Sequence, residues 1–299
     1  MLLALLVTPR GNFATKIIPC GMRDAHAPCP DHNTASLMQP DQIEILLHEL
    51  ADLSGEAAMA HFRARPGVTD KAGGDERFDP VTAGDKEAEA AIRTHLAQHR
   101  PDDAILGEEM DDIEGTSGYR WVVDPIDGTR AFISGLPVWG TIIGLERDGK
   151  PVAGLFHQPF TAERYWAIGG KAWMRVGSGG PEQISTSGTS RLSESTLMTT
   201  SPRIFEPDEQ ETYDRIEAAV QLARYGCDGY AYCMLAAGNI DLVVESGLKP
   251  FDVCGLVPII EAAGGVFTSW TGKPAHGGGR VLAAANRTLH AAAMDVIGG

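Results

Sequence analysis

Residues 121–140 read Trp-Val-Val-Asp-Pro-Ile-Asp-Gly-Thr-Arg-Ala-Phe-Ile-Ser-Gly-Leu-Pro-Val-Trp-Gly, and they carry the strongest signal in the chain. The three leading apolar residues predict a buried strand. Asp124 and Asp127 follow on either side of Pro125, which fixes a backbone torsion and stiffens the turn. Carboxylates on a stiff turn suit Mg²⁺, which prefers oxygen ligands in near-octahedral order. The carbonyl of Ile126 offers a third oxygen.

The residues after the second aspartate favour an oxyanion site. Gly128 lets the backbone approach a ligand closely. A helix is predicted to start within 130–134, and the free N–H groups at a helix start attract anions. The alternative is a strand that ends in an acidic turn, with Thr129 as an ordinary helix cap. This motif alone does not choose between the two interpretations.

The composition narrows the class of partner. The chain has 299 residues, of which 43% are hydrophobic, and a net charge of −15. This charge argues against nucleic acid or anionic membranes as the main partner, because both reward basic patches. An anionic substrate stays possible if a bound metal neutralises the site. The chain has five cysteines, an odd number, and no two of them form a Cys-x-x-Cys motif. This pattern predicts free thiols in a reducing, cytoplasmic compartment.

The ends and the middle of the chain suggest three segments. The apolar start is too short to span a bilayer and lacks the pattern of a signal peptide. Residues 1–37 are predicted to be a poorly ordered extension, with Met38 as an alternative start. A Gly- and Ser-rich stretch near 176–189 then predicts a boundary. An N-terminal α+β domain with the metal site would span 38–180, and a C-terminal α/β domain would span 181–299.

Hydrophobic periodicity outlines the elements. A helix is predicted from Asp41 to before Pro66, and the glycine-bearing segment 71–78 is predicted to be a mobile loop. Asp148-Gly149 between two apolar runs predicts a β-hairpin turn. The second half alternates strands with helices, which indicates an α/β unit. Its longest predicted helices span 208–224 and 251–263.

Three further acids fall at element ends, and each has an ordinary alternative. Asp85 begins a helix and is either its N-cap or a residue that binds an outer metal or orients a hydroxyl. Glu108 ends a short strand and is either a third metal carboxylate or a solvated loop acid. Asp252 lies in the first turn of a helix, where the helix dipole already favours an acid. Position alone does not separate these roles.

The motifs together resemble a known family. Asp124-Pro-Ile-Asp-Gly-Thr129, the Gly-Glu-Glu that contains Glu108 and the Phe-Asp-Val that contains Asp252 are similar to blocks of the inositol monophosphatase superfamily of metal-dependent phosphatases. All three occur in the family's order, and the resemblance covers about 41–298. It implies an α/β (α+β) fold, a layered α-β-α-β-α sandwich, commonly in a homodimer.

The resemblance also implies roles for individual residues. The ligands of two or three Mg²⁺ ions would be Glu108, Asp124, the Ile126 carbonyl, Asp127 and Asp252. Backbone N–H groups of Gly128 and Thr129 would hold phosphate oxygens. Thr129 and Glu108 would orient the attacking water, with Asp85 supporting that hydroxyl or a further metal.

Within this superfamily the chain resembles the histidinol-phosphate phosphatases. Arg130 opens the stretch Arg-Ala-Phe-Ile-Ser-Gly-Leu-Pro, where inositol-type enzymes tend to show Thr-Asn-Phe. Residues 199–202, Thr-Thr-Ser-Pro, also fit the histidinol-phosphate branch, as does the segment from Tyr230 to Asp252. That branch tends to have Gly-Asp-Cys where this chain has Cys227-Asp228-Gly229.

Histidinol phosphate carries an amine and an imidazole, so its pocket needs acids beyond those that bind metal. Asp228 and Glu245 match positions that line this pocket in the family, and Arg130 joins them in the predicted substrate-binding set. The alternative for Asp228 is a loop acid.

Three functions are compatible with these motifs, and in each the protein binds a small phosphorylated metabolite. The favoured one is a Mg²⁺-dependent histidinol-phosphate phosphatase of histidine biosynthesis. The second is an inositol-1-phosphate or broad sugar-phosphate phosphatase. The third, a non-catalytic regulatory binding protein, is opposed by the complete set of carboxylates.

Overall fold

The central stretch forms a nine-residue strand that lies second in a seven-stranded sheet. The computed structural model describes residues 37–64, 67–71 and 80–299, so the prediction for 1–37 lies almost entirely outside the described residues. Helices in this part of the chain are α1 Pro40–His61, α2 Ala83–His99, α3 Thr129–Ile133, α4 Pro207–Ala219, α5 Asp228–Ala236, α6 Pro250–Val253, α7 Leu256–Ala262 and α8 Arg287–Gly298.

The strands, over the same ranges, form three sheets. They are β1 Val68–Asp70, β2 Pro80–Thr82, β3 Ala104–Gly107, β4 Tyr119–Asp127, β5 Gly140–Arg147, β6 Lys150–Gln158, β7 Glu163–Ile168, β8 Lys171–Val176, β9 Glu182–Gln183, β10 Thr196–Thr199, β11 Leu222–Tyr225, β12 Leu242–Leu248, β13 Val266–Ser269 and β14 Gly279–Ala284. The large sheet runs β3 to β9 in chain order, and only β3 and β4 pair in parallel. The second sheet has the order β11-β10-β12-β14-β13, and β1 pairs with β2.

Helices cover both faces of each large sheet, which gives the predicted α-β-α-β-α sandwich. Helices α1 and α2 pack on the outer face of the seven-stranded sheet. Helices α5 and α7 fill the space between the two sheets. Helices α4 and α8 cover the far face of the five-stranded sheet. Along β12, Val243 faces the middle layer while Leu242 and Val244 face the outer helices, as the two-residue period of a strand requires.

The structure confirms the predicted β-hairpin turn and shortens one of the predicted helices. The Asp148-Gly149 hairpin is confirmed, and both residues have positive φ, at 51° and 73°, as a tight two-residue turn needs. The helix predicted over 208–224 is wrong at its end. It stops at Ala219, and Leu222–Tyr225 instead forms an edge strand beside β10.

The helix predicted over 251–263 is divided into α6 and α7 at Gly255. A Cβ there would lie 2.8 Å from the Ile143 carbonyl oxygen, so the glycine allows this turn to pack directly on β5.

Residues 38–299 form one compact unit. The division at residue 180 stays a prediction, although the seven-stranded sheet ends at Gln183 and the five-stranded sheet starts at Thr196. Within the described part of the chain, each helix is too short or too polar to cross a lipid bilayer.

Candidate active site

Three aspartates from distant parts of the chain meet at one end of β4. Asp124 and Asp127 belong to this strand, and Asp252 lies in α6. Each offers a carboxylate oxygen, and the three oxygens lie within 4.8 Å of one another. Residues three apart in a regular strand point to opposite faces. The pairing of β4 with β5 changes register between Asp124 and Asp127, which lets both carboxylates face the same site.

The cluster is electrostatically unfavourable without a counter-charge. Burial, and then the charges of Glu108, Asp127 and Asp252, raise the pKa of Asp124 well above its ordinary value. Burial, followed by the charges of Glu108 and Glu245, raises the pKa of Asp252 to about 7. Crowded carboxylate oxygens are the ligands that a hard divalent cation prefers, and its charge would oppose these shifts. The donor set therefore fits a divalent metal ion.

Glu108 lies directly after β3 and its charge acts on Asp124, but its carboxylate is not among the three whose oxygens lie within 4.8 Å of one another. The Lys71 ammonium donates to Glu108 at 3.0 Å and to Glu109 at 2.5 Å. Lys71 thus brings a positive charge to Glu108 and Glu109, which was not predicted from the sequence. The remainder of the loop predicted over 71–78 lies outside the described residues.

Asp85 is buried in the first turn of α2. Thr82, and not Asp85, is the N-cap of α2. Asp85 completes a capping box, because its Oδ2 accepts hydrogen bonds from the Thr82 N–H at 2.8 Å and hydroxyl at 2.6 Å. Its other oxygen, Oδ1, is buried without a hydrogen-bond partner. The charge of Asp85 also contributes to the raised pKa of Glu108, after the larger effect of burial.

The turn from β4 into α3 contains Gly128 and Thr129, for which an oxyanion-binding role stays a prediction. Gly128 has φ of 79° and ψ of 41°, a left-handed conformation that favours glycine. A Cβ at this position would lie 3.2 Å from an Asp228 carboxylate oxygen. The Thr129 hydroxyl donates to the Ile126 carbonyl at 3.1 Å. Arg130, the next residue, is exposed.

A second group of acids surrounds Thr200. Its N–H and hydroxyl lie 2.7 Å and 2.6 Å from Glu245 Oε1, and the hydroxyl lies 3.1 Å from Asp228 Oδ1. The Tyr232 hydroxyl donates to the other Glu245 oxygen at 3.1 Å. Burial raises the pKa of both Asp228 and Glu245. Asp228 itself has a positive φ of 42°, which is uncommon outside glycine.

One cavity of about 370 Å³ joins these groups. Every predicted site residue except Asp85 lines it. Thr200, Ser246 and Lys249 also line it, although their sequence context predicted no role for them. The Thr-Thr-Ser-Pro motif contained the signal for Thr200. Tyr232 is buried, yet it also borders this cavity.

Known proteins share the sequence motifs and the layered fold of this chain. The family model described as the inositol monophosphatase family matches residues 39–297. The chain belongs to the inositol monophosphatase family. It is a phosphatase of this family, whose members depend on metal ions, and the aspartate cluster lies within the matched region.

Individual family members show how specific the likeness is. The chain is 44% identical to the bifunctional phosphatase IMPL2, chloroplastic, of Arabidopsis thaliana, over 78% of this chain and 66% of that protein. It is 32% identical to the histidinol-phosphatase of Chlorobaculum parvum, over 87% of this chain and 98% of the relative. A solved inositol monophosphatase from Zymomonas mobilis superposes with a TM-score of 0.75 at 36% identity, over 88% of this chain and 100% of that chain.

Proposed function

We propose that the chain is a Mg²⁺-dependent histidinol-phosphate phosphatase, which converts L-histidinol phosphate and water to L-histidinol and phosphate in histidine biosynthesis. The observation that carries this proposal is the pair Asp228 and Glu245. These two acids line the cavity in addition to the three clustered aspartates. The similar relative named histidinol-phosphatase supports it.

The hydrogen bonds of this acid pair favour a cationic leaving group. The Thr200 hydroxyl is within reach of both acids but has only one proton to donate. A single hydroxyl therefore serves two carboxylates, and the charge of Arg130 also acts on Asp228. The amine of histidinol, or its protonated imidazole, brings N–H donors and a positive charge together. A charged donor of this kind forms the stronger class of hydrogen bond with a carboxylate.

The phosphate would lie beside the three clustered aspartates. We assign the metal-binding role to the predicted ligand set: Glu108, Asp124, the Ile126 carbonyl, Asp127 and Asp252. When bound, Mg²⁺ supplies the positive charge that offsets the phosphate and activates water for attack. Gly128 and Thr129 would donate their N–H groups to phosphate oxygens.

Two side chains would orient the attacking water. Glu108 would accept one of its protons. The Thr129 hydroxyl would turn from the Ile126 carbonyl towards this water. The unpartnered Oδ1 of Asp85 would serve the same hydroxyl or a further cation.

A substrate panel tests the proposal. Phosphate release is measured from histidinol phosphate and from inositol 1-phosphate, each with and without Mg²⁺. We expect a higher kcat/KM for histidinol phosphate and no activity without the cation. Asp228→Asn should lower kcat/KM about tenfold or more for histidinol phosphate and much less for the inositol ester, because only the former has a cationic leaving group. Glu211→Gln, on an exposed acid of α4, is the matched control and should change neither.

The second candidate is an inositol-1-phosphate or broad sugar-phosphate phosphatase. The observation in its favour is the set of neutral hydroxyls on the cavity, from Thr200, Tyr232 and Ser246, which suits a polyol. The likeness to the inositol monophosphatase from Zymomonas mobilis points the same way. A higher kcat/KM for inositol 1-phosphate, left unchanged by Asp228→Asn, would establish this function and refute the first.

Three finer points complete the proposal. The cavity would hold two or three Mg²⁺ ions, the chain would act as a homodimer, and it would work in the cytoplasm. Calorimetric Mg²⁺ titration counts the ions, and light scattering on the purified protein gives the oligomeric state.

A further inference from the structure

A buried ion pair lies behind the loop that carries Glu108. Glu89 is fully buried in α2, and its Oε1 accepts a hydrogen bond from Arg93 Nε at 2.7 Å. Its Oε2 accepts one from the Glu109 N–H at 2.8 Å. This carboxylate therefore holds the backbone directly after Glu108.

Arg93 binds the next two residues of the same loop. Its two terminal nitrogens donate to the carbonyls of Met110 and Asp111, at 3.1 Å and 2.9 Å. The pair thus makes three hydrogen bonds to the backbone of three consecutive residues. We name Glu89 and Arg93 the α2 clamp.

Gly107 makes room for the α2 clamp. A Cβ at this position would lie 2.1 Å from Glu89 Oε1 and 2.8 Å from an Arg93 terminal nitrogen. Gly107 is also the last β3 residue that pairs with β4, opposite Val123. Glu108 is consequently fixed from both sides, by the strand pairing before it and by the clamp after it.

Stability alone is a weak explanation for such a pair. Burying two charges costs desolvation that their attraction often fails to recover, and apolar replacements can be equally stable. The clamp does, however, determine the direction of a short loop, and the loop residue it flanks faces Asp124 in the cavity.

We propose that Glu89, assisted by Arg93, is a positioning residue of the metal centre that sets the backbone of Glu108 so that its carboxylate reaches the shared cation. This inference rests on the proposed metal-binding role of Glu108. Outer-shell groups that orient a ligand typically contribute about 10- to 100-fold to metal affinity.

Mn²⁺ binding without substrate tests the role of the clamp directly. The free ion is measured by its electron paramagnetic resonance signal during titration of the folded full-length chain. We expect Glu89→Ala to weaken Mn²⁺ binding about tenfold or more, and Glu89→Gln, which keeps an acceptor for the Glu109 N–H, to weaken it less. Asp124→Asn should abolish the tight site.

The matched control is Asp241→Ala. Asp241 is a buried carboxylate that also accepts a backbone N–H, from Thr196 at 2.7 Å, but it precedes β12 at the end away from the cavity. It should lower thermal stability as Glu89→Ala does and leave Mn²⁺ affinity unchanged.

The outcomes separate the two proposals. Unchanged Mn²⁺ affinity in Glu89→Ala, with binding lost in Asp124→Asn, overturns the clamp and leaves the metal centre intact. Unchanged affinity in Asp124→Asn overturns the proposed metal centre itself. If Glu89→Ala does not fold, Arg93→Ala, which removes the hydrogen bonds to the Met110 and Asp111 carbonyls, decides, and an affinity equal to that of the wild type overturns the clamp.

Discussion

Replacing Asp252 with asparagine should stabilise the protein in the absence of divalent cations and abolish its activity. Asp252 is buried among other acids, and its pKa is raised from 3.8 to about 7, first by burial and then by the charges of Glu108 and Glu245. In the unfolded chain the same carboxyl ionises near its ordinary value. At pH 8, keeping it ionised in the folded state therefore costs on the order of 4 kcal/mol of folding free energy. An amide avoids this cost and can still accept the Lys249 N–H.

The sign of the pH dependence follows from the direction of the shift. A raised carboxyl pKa means that the folded state holds its proton more tightly than the unfolded state. The penalty is thus complete above pH 7 and shrinks as the pH falls towards 4. Because neighbouring groups relax around the charges, we expect Asp252→Asn to gain about 2–4 kcal/mol at pH 8 in chelator, and less at pH 5.

Urea unfolding at pH 8 and pH 5, with chelator or with excess Mg²⁺, measures this gain. Mg²⁺ should stabilise the wild type by mass action and stabilise the variant much less. Asp241→Asn, at a buried carboxylate outside the cavity, serves as the control and should show no gain in chelator. The reasoning fails if Asp252→Asn is no more stable than the wild type in chelator at pH 8, or if Mg²⁺ stabilises both equally.

Two further predictions concern backbone conformation and acid stability. Gly128→Ala requires a residue with a Cβ to adopt a left-handed backbone conformation and places that Cβ against Asp228, at a strain of about 1–2 kcal/mol. We expect kcat/KM to fall about 10- to 100-fold with little change in the circular dichroism spectrum. Full activity would contradict the proposed phosphate-binding role of this turn. Burial, and then the charge of Arg164, lower the pKa of His157 to about 4. Since the unfolded chain binds this proton near pH 6.5, stability should fall as the pH drops from 6.5 towards 4, by about 2 kcal/mol from this residue at pH 5. Urea unfolding at pH 7 and pH 5 measures this loss of stability, which should be about 2 kcal/mol smaller in His157→Gln than in the wild type. An equal loss in both proteins would show that His157 does not cause it.

The sequence could predict the sandwich and the acidic motifs because each has a local signature. The buried run before Asp124, the Asp148-Gly149 turn and the amphipathic pattern of α1 all depend on residues close together in the chain. The end of α4 had no such signature, since Leu222–Tyr225 becomes a strand only through pairing with β10. Spacing alone did not bring Asp252 to the end of β4 either, and this expectation came from the resemblance to a family.

The unassigned residues of the cavity show a second limit. Lys71 follows a short exposed strand, and Thr200 lies in a loop after β10, so neither has a periodic pattern that marks it. Their importance is visible only through their partners, the Glu108 and Glu245 carboxylates. The split of α6 from α7 likewise depends on a close tertiary contact at Gly255. Residues whose role is set by long-range partners are the ones that local patterns miss.

The start of α5 connects the aspartate cluster to the acid pair that we propose for the leaving group. Asp228 faces Thr200, while the next residue, Gly229, donates its N–H to Asp127 Oδ2 at 2.7 Å. A Cβ on Gly229 would lie 2.6 Å from that same oxygen, so a glycine is needed there. The order Asp228-Gly229, which departs from the pattern of the resembling branch, therefore places the acid in the cavity and the glycine against Asp127. A substitution that rotates this turn should alter substrate preference and metal affinity together, because one backbone segment sets both.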